Sequence, residues 1–232
     1  MKRYIVIALI ACVCFFNGCG SDNTFLDVTK SSATSVPDDT GTNDTGDTDT
    51  NDTGDFYISW QKCLGGSAHD NATSIQQTSD GGYIVAGNTF SNDGDVTGYH
   101  GGDDYWVVKL DSNGNMKWQK CLGGSYGDCA KYIQQTSDGG YIVAGYTFSN
   151  DGDVTGLHGD SDYWVVKLDS NGNIKWQKCL GGSGNEGASS IQQARDGGYI
   201  IAGASNYSDG DVTGNHGGYD SWIVKLDANG NF

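Results

Sequence analysis

From residue 56 onward, short apolar runs rich in β-branched residues alternate with turns rich in Asp, Asn and Gly. One stretch holds four such runs, at residues 74–78, 83–87, 105–111 and 116–122. Asp-Gly and Asn-Gly between apolar runs favour hairpins, because these residues accept positive φ. No run has the 3.6-residue period of an amphipathic helix. The pattern therefore predicts an all-β fold of antiparallel strands.

Alternation within the third run indicates which side chains share a face. Trp106, Val108 and Leu110 fall on one face, and Tyr105 and Val107 fall on the other. The second run is apolar on both faces. We therefore expect it to lie inside a stack, covered on each side by a neighbouring sheet.

One long block of sequence occurs three times in the chain. The copies at residues 60–117 and 118–175 differ at only ten positions, and a more diverged copy at 176–232 stops one residue short of the period. Such a repeat predicts stacked units, each of which buries its apolar face against its neighbours. Four antiparallel strands per unit predict β-propeller-type, four-stranded blades.

Three blades are too few to close a ring. Residues 56–64 match the fourth run of a repeat, so this segment is expected to supply the strand that the last copy lacks. The alternatives are an open arc, a part of a longer array, and a homo-oligomer in which two or more chains complete a ring. We expect the longer array, because the third copy stops just before its next Trp.

Two long motifs carry a family resemblance. They are Gln-Gln-Thr-Ser-Asp-Gly-Gly-Tyr-Ile-Val-Ala-Gly at residues 76–87 and Tyr-Trp-Val-Val-Lys-Leu-Asp-Ser-Asn-Gly-Asn-Ile-Lys-Trp-Gln-Lys at residues 163–178. Over residues 56–232 the chain resembles the propeller-type repeat proteins of bacterial surfaces, which are secreted and often described as lectin-like. The resemblance implies an extracellular propeller-like fold and no particular reaction.

The N-terminal segment, residues 1–19, has the composition of an export signal. Lys2 and Arg3 precede an apolar run at residues 4–16 that is short for a membrane span. The run leads to Cys19, which predicts a lipoprotein-type signal peptide (residues 1–19) with Cys19 lipidated; the alternative is an ordinary cleaved signal peptide. Acylation would anchor the chain to a membrane. We expect an exported protein, lipid-anchored at the cell envelope or outer membrane surface, or otherwise secreted.

Residues 20–55 are predicted to be a disordered linker rich in Asp, Thr, Gly and Asn. Nine Asp and one Lys leave little apolar surface to offset chain entropy. The whole chain has a formal net charge of −16. Because no basic stripe exists to neutralise phosphates, nucleic acid is excluded as a partner. The repeat domain is assigned to residues 56–232.

Cysteine and tryptophan recur at fixed positions of the repeat. Cys63, Cys121 and Cys179 are equivalent, and equivalent positions of neighbouring units seldom come within disulfide range. We expect small buried thiols and no disulfide framework. The six Trp fall on strands, which indicates core between the blades rather than platforms for sugars.

Each copy also has a long loop with the pattern Asp-x-Asp-x-Thr-Gly-x5-Asp. This pattern approaches a calcium loop, in which oxygens at positions 1, 3, 5 and 12 converge and Gly at position 6 allows a sharp turn. It departs by having Asp at position 12 and His at position 8, and the alternative is a solvated surface hairpin. Calcium is the one cofactor predicted, with these ligands: Asp93, Asp95, Thr97, Asp104, Asp151, Asp153, Thr155, Asp162, Asp209, Asp211, Thr213 and Asp220.

No catalytic residue is predicted. A catalytic site needs one asymmetric set of groups in a cleft, whereas nearly every polar group here is copied in each repeat. We expect a non-enzymatic surface protein whose loops bind carbohydrate or protein, with calcium ordering the loops. The alternatives are a structural spacer or adhesion module without a small ligand, and an accessory propeller fragment of a longer secreted enzyme.

Overall fold

The computed structural model of the chain describes residues 59–232, which form three antiparallel sheets. The strands are β1 (Asp70–Gln77), β2 (Tyr83–Thr89), β3 (Asp104–Leu110), β4 (Met116–Leu122), β5 (Asp128–Gln135), β6 (Tyr141–Thr147), β7 (Asp162–Leu168), β8 (Ile174–Leu180), β9 (Glu186–Gln193), β10 (Tyr199–Ser205) and β11 (Asp220–Leu226). Sheet 1 has the order β1-β2-β3-β4, sheet 2 the order β5-β6-β7-β8, and sheet 3 the order β11-β10-β9. The predicted all-β class is confirmed. The signal peptide, Cys19 and the linker lie outside the described residues.

Tight turns join the strands of each sheet. Between β3 and β4, Asp111 Oδ1 accepts hydrogen bonds from the backbone N–H groups of Asn113 and Asn115, both at 2.8 Å. Asp169 and Asp227 make the same pair of bonds in the other two copies. Short polar side chains that bond to nearby backbone favour such reversals. The Asp-Ser-Asn-Gly-Asn sequence of the repeat therefore acts as a hairpin connection.

Sheet 2 lies between the other two sheets, and apolar side chains fill both contacts. Tyr105 and Val107 of sheet 1 belong to the same buried cluster as Trp164 of sheet 2. On the opposite face of sheet 2, Tyr163 clusters with Val224 of sheet 3. Every position of β6 is buried. The prediction that the second run is covered on both faces is confirmed for sheet 2, whereas in sheet 3 Ile200 of the second run is exposed. The division of the third run into two faces is confirmed.

A repeated hydrogen bond crosses each contact between sheets. The Tyr105 hydroxyl donates to the Trp164 carbonyl at 3.0 Å, and the Tyr163 hydroxyl donates to the Trp222 carbonyl at 3.0 Å. The two ring pairs have centroid distances of 4.5 and 4.7 Å. A buried hydroxyl needs such an acceptor, because an unpaired one would lose its bonds to water. These bonds fix how each sheet is positioned on the next, and the tryptophans are core residues, as predicted.

The segment before β1 is packed but forms no strand. Within residues 59–66, the Trp60 ring lies 5.7 Å from that of Tyr83, centroid to centroid. A Cβ on Gly114 would lie 2.7 Å from a Trp60 ring atom, and Gly114 has a φ of 77°. This turn position therefore needs glycine for its backbone conformation and for the space that the indole occupies.

Trp118 of β4 holds the same position on sheet 2, where its ring lies 5.8 Å from that of Tyr141 and against Gly172. The segment around Trp60 thus occupies the place that the fourth strand of a preceding sheet would take. We expected residues 56–64 to complete the last repeat. Within this chain that expectation is wrong, because sheet 3 has three strands and the described part of the segment pairs with none.

The repeated cysteines differ in burial. Cys121 and Cys179 are buried, whereas Cys63 is exposed, and all the cysteines of residues 59–232 are free thiols. The expectation of unpaired thiols is confirmed over this part of the chain. The expectation of burial is wrong for Cys63, because the segment that carries it has no strand neighbour.

The repeat also contains an ion pair that the apolar pattern did not indicate. The Lys109 ammonium is buried and lies 3.0 Å from both Asp80 Oδ1 and Thr78 Oγ1. Lys167 and Asp138 form the same pair in sheet 2. Hydrogen bonds from Thr78 and Lys109 hold the pKa of Asp80 below its ordinary value. A buried cation needs such partners, so this pair joins the Asp-Gly-Gly turn to β3.

No helix within residues 59–232 is long and apolar enough to cross a membrane.

The stacking of the sheets predicts that replacing equivalent tryptophans lowers the free energy of unfolding by different amounts. Trp164→Ala removes a fully buried indole between sheets 1 and 2 and should lower the free energy of unfolding by about 3–5 kcal/mol. Trp222→Ala, at the equivalent but half-buried position of sheet 3, should cost clearly less. Urea denaturation of both variants measures the difference. Equal losses would contradict the assignment of sheet 2 to the interior.

Candidate functional site

The long loops and the glycine-rich connections lie together at one edge of the sheets. The long loops, residues 90–103, 148–161 and 206–219, join the second strand of each sheet to the third. The connections at 123–127 and 181–185 follow the fourth strands. Antiparallel neighbours begin and end at the same edge, so all these segments meet there. We call this edge, together with residues 65–69, the loop edge.

The two aspartates at the start of each long loop fasten it to the connection beside it. In sheet 2, Asp151 Oδ1 accepts from the Ser125 N–H and Oδ2 from the Ser125 hydroxyl, both at 2.7 Å. The Asp153 N–H donates to the Gly123 carbonyl at 2.9 Å. The Asp-Gly-Asp and Gly-Gly-Ser sequences of the repeat are therefore binding partners of one another.

The same attachment recurs in the other sheets. Asp93 Oδ1 accepts from the Ser67 N–H at 2.7 Å, and Asp209 Oδ1 accepts from the Ser183 N–H at 2.8 Å. Hydrogen bonds from Ser67 hold the pKa of Asp93 below its ordinary value, and those from Ser183 do the same for the pKa of Asp209. Bonds to the charged form favour that form, so these carboxylates act as ionised loop anchors.

The loop threonine has a separate partner. Gln119 Nε2 donates to the Thr97 carbonyl at 3.0 Å, while Gln119 Oε1 accepts from Trp106 Nε1 at 2.9 Å. Thr155 and Gln177 make the same contact in sheet 2, at 3.1 Å. The fourth strand is thus linked both to the loop and to the indole beneath it.

A histidine–aspartate pair closes each long loop. His100 Nδ1 lies 2.9 Å from Asp104 Oδ2, which also accepts from the His100 N–H at 2.8 Å. His158 pairs with Asp162 at 2.6 Å. The Asp104 and Asp162 side chains are fully buried, and each has one oxygen, Oδ1, without a hydrogen-bond partner among the described residues. Such burial disfavours the charged carboxylate.

A second buried acid lies next to each of these aspartates. Asp128 Oδ2 accepts from the Gly124 N–H at 2.8 Å and from the Ser149 hydroxyl at 3.0 Å. A Cβ on Gly123 would meet Asp128 Oδ2 at 2.5 Å and Asp104 Oδ1 at 2.8 Å, so both carboxyls border the same glycine. Burial raises the pKa of Asp104 to about 6, and burial likewise raises the pKa of Asp128 to about 6.

Sheet 3 repeats this arrangement with Glu186 in place of Asp128. Glu186 Oε2 and Asp162 Oδ1 would both touch a Cβ on Gly181, at 2.6 and 2.7 Å, and burial raises the pKa of each acid. Our sequence reasoning missed the acids of the first strands. Their signal was an acid that recurs at the same position of every repeat, as Asp70, Asp128 and Glu186.

The structure does not gather the predicted calcium ligands into one shell. The two aspartates of each Asp-x-Asp bond to a glycine connection, the threonine accompanies a glutamine, and the last aspartate bonds to histidine. Within residues 59–232 no group of three or more His, Cys, Asp or Glu side chains is placed to hold a metal. In this arrangement the oxygens do not fit the converging set that calcium prefers. Calcium binding stays a prediction.

A polar groove of about 480 Å³ runs along β4 between sheets 1 and 2. Its loop end is formed by His100 and Asp153, whose Nε2 and Oδ2 atoms are 4.0 Å apart. Lys120, Asn173 and Ile174 also line the groove. Ligand sites typically have volumes of about 300–1,000 Å³, so the groove has room for a small polar ligand.

Cys121 also lines this groove, but its thiol is a poor nucleophile at neutral pH. Burial raises the pKa of the Cys121 thiol to about 12. The reactive form of cysteine is the thiolate. The thiol therefore stays neutral near pH 7 and does not supply a nucleophile there. Hydrogen bonding and charge, rather than covalent chemistry, are what the groove offers.

The buried acids predict a pH dependence of stability. Folding raises the pKa of Asp104 and Asp128 from 3.8 to about 6, so the stabilisation is full below 3.8 and is lost as pH rises through 6. We expect the melting temperature to fall by at least about 3 °C between pH 5 and pH 7.5. Asp104→Asn should make the fall shallower. Differential scanning calorimetry measures both curves.

The matched control for this prediction is Asp160→Asn, which removes an exposed aspartate of the same edge. It should leave the slope between pH 5 and pH 7.5 unchanged. A melting temperature that rises over this range, or an equal slope in Asp104→Asn and the wild type, would contradict the assignment.

The calcium prediction is tested on the same protein. If the loops rearrange around the ion, millimolar calcium should raise the melting temperature, and EDTA should reverse the gain, because a ligand that binds only the folded state stabilises it. Asp95→Asn should abolish the effect of its own loop. An unchanged melting temperature at millimolar calcium would rule the site out.

Comparison with known proteins assigns no function to the chain. A scan of the sequence against models of protein families gives no match, and a search of curated proteins gives none either. The geometry of the loop edge is therefore the basis for a functional assignment.

Proposed function

We propose that this is an exported, non-enzymatic surface protein with propeller-type blades that binds carbohydrate in the groove along β4, one end of which is formed by the loop edge. Residues 1–19 would direct export and Cys19 would carry a lipid anchor. Residues 20–55 would then act as a charged spacer that holds the repeat domain away from the membrane. A protein ligand is the alternative that the sequence leaves open.

The stacking of the sheets supports the blade architecture. The first strands of successive sheets contact one another, β1 with β5 and β5 with β9. The same tyrosine-to-carbonyl bond joins sheet 1 to sheet 2 and sheet 2 to sheet 3. Units that repeat one contact are related by one repeated rotation, as blades around an axis are.

The groove along β4 is the observation that carries the ligand class. Lys120, His100, Asp153 and Asn173 offer donors and acceptors to one space, and Ile174 adds an exposed apolar surface. A sugar has many hydroxyl groups around an apolar ring face, so this mixture suits it. The thiol of Cys121, in contrast, gives the groove no reactive group at neutral pH.

Differences between the first two copies also point to the loop edge. Of the ten differing positions, five fall within its segments, at residues 68, 69, 99, 102 and 103. Asn71 and Asn88 also differ, and they pair across β1 and β2 next to that edge. The remaining three differences, at Thr73, Ser74 and Met116, lie on β1 and β4. Half of the differences therefore fall in the loops, and variable loops are what a display scaffold requires.

A glycan array probed with the full chain tests the proposal. We expect binding to a limited set of glycans, and Lys120→Ala should weaken it by about tenfold or more, because a charged hydrogen-bond donor is lost from the groove. Lys117→Ala is the control, since Lys117 is exposed on the same strand and does not line the groove.

Two results would contradict the proposal. One is the absence of any bound glycan, and the other is equal binding by Lys120→Ala and Lys117→Ala. Capture of a polypeptide ligand that the Lys120 variant loses would replace carbohydrate by protein as the ligand class.

A further inference from the structure

Inside the stack, the same contact between sheets occurs twice, each time between two different kinds of face. The two outer faces of the stack correspond to these two kinds. Sheet 1 turns Trp106, Val108 and Leu110 outward; within residues 59–232, Trp60 and Leu64 pack over these three buried side chains, beside a groove of about 590 Å³. In sheet 2 the equivalent residues are fully buried against sheet 1. Sheet 1 therefore presents the face that receives a preceding sheet.

Sheet 3 presents the other kind of face, the one that packs on a following sheet. Ile200 and Ile223 lie on its outer face with 42% and 64% of their surface exposed. The equivalent residues of sheet 1, Ile84 and Val107, are fully buried against sheet 2. On the receiving face of sheet 1, Ile75 is 62% exposed. Among the described residues, Ile75, Ile200 and Ile223 are thus exposed at the two ends, whereas their counterparts are buried at the internal contacts.

Polar groups of sheet 3 also match the internal contact. In sheet 1, Thr73 Oγ1 donates to a carbonyl of β5 at 2.9 Å, and Ser74 Oγ accepts from an N–H of β5 at 3.2 Å. Sheet 3 carries hydroxyls at these two places, Ser189 and Ser190, and both are exposed. The outer face of sheet 3 therefore has the hydrogen-bonding groups that sheet 1 uses to hold the next sheet.

A glutamine completes the match. Gln76 Oε1 accepts from the Gln135 N–H at 2.6 Å between sheets 1 and 2, and Gln134 Oε1 accepts from the Gln193 N–H at 2.8 Å between sheets 2 and 3. Gln192 is the equivalent residue of sheet 3, and its side chain is exposed on the outer face. This acceptor is suited to the first strand of a following sheet.

The strand edges are complementary as well. Sheet 3 ends at β11 without a fourth strand, whereas residues 61–64 have a fourth-strand sequence and no strand partner. Trp164 Nε1 donates to Gln177 of its fourth strand at 2.8 Å. The glutamine equivalent for Trp222 is Gln61, which lies at the opposite end of the stack.

We propose that a second copy of this chain docks its sheet 3 on the outer face of sheet 1, while residues 61–64 add to the free edge of β11. The two faces differ, so each contact between sheets runs head to tail, and both faces are covered in every copy only when the chains close a ring. Two copies supply six sheets, which falls within the four to eight blades of known propellers. Three copies would supply nine sheets, outside that range. The ring is therefore a two-fold dimer.

One residue difference between the repeats distinguishes the contact between copies from the contacts inside the chain. Ser221 stands where sheets 1 and 2 have Tyr105 and Tyr163, whose hydroxyls donate to a tryptophan carbonyl of the next sheet. The contact between copies lacks that ring and that hydrogen bond. It is consequently weaker than the internal contacts and dissociates on dilution.

Sedimentation equilibrium of the full chain tests the dimer, with Cys19→Ala to remove the acylation site. We expect twice the mass of one chain at high concentration. S221Y restores the aromatic ring and its hydroxyl opposite Trp106 of the second copy, and should lower the dissociation constant by about tenfold. Because S221Y adds a contact, its effect does not arise from loss of folding.

Two disruptive variants test the direction of docking. I223K on sheet 3 and I75D on sheet 1 should each give the mass of one chain, whereas an equimolar mixture of them should recover the dimer, since one of its two contacts is then unaltered. Y126K is the control, because Tyr126 is 65% exposed in a loop off both outer faces, and it should keep the dimer. A single-chain mass that persists in S221Y, a mass other than two chains, or a mixture that stays monomeric would overturn the proposal.

Discussion

Within residues 59–232, the facing sides of the sheets bury their apolar side chains against one another, and that constraint governs the rest of the structure. Tyr163 shows how the constraint is met, since its ring packs against Trp222 of sheet 3 and its hydroxyl donates to the same residue's carbonyl. Burial supplies the driving force, while the hydrogen bond sets the position of one sheet on the other. Within the described residues, an end sheet has a neighbouring sheet on one face, and side chains such as Ile75 and Ile223 are exposed on the outer faces.

At the loop edge, in contrast, acidic side chains dominate, and holding charge there costs free energy. Anchoring carboxylates such as Asp151 receive two hydrogen bonds and stay ionised. Asp104 and Asp128 are buried around Gly123, and burial raises the pKa of both. One set of acids therefore fixes the loops in the ionised form, and the other favours a bound proton. Their opposite shifts leave the loop edge most stable in mildly acidic solution.

The sequence was sufficient for the strands and their faces, but not for the contacts that lie between repeats. Alternation placed Trp106 and Val107 on opposite faces, because that pattern is local. The Asp-x-Asp motif suggested calcium, since its oxygens are close in sequence; the partner of Asp151 is Ser125, 26 residues away, and only the folded chain brings them together. Alternation likewise did not identify Asp80 and Thr78 as the partners of the buried Lys109 ammonium.

The division between a fixed stack and a variable edge follows from these same contacts. A change at Trp164 or Val166 alters a contact that side chains fill from both sheets, where a volume change of even one methylene group affects stability. A change at Tyr99 alters a loop whose anchor, the Asp93 carboxylate, accepts from the backbone N–H of Ser67 in another segment. The first two copies accordingly keep the apolar residues of the third strand, and five of their ten differences fall in the segments of the loop edge. New surfaces can thus arise at the loop edge without disturbing the packing that supports them.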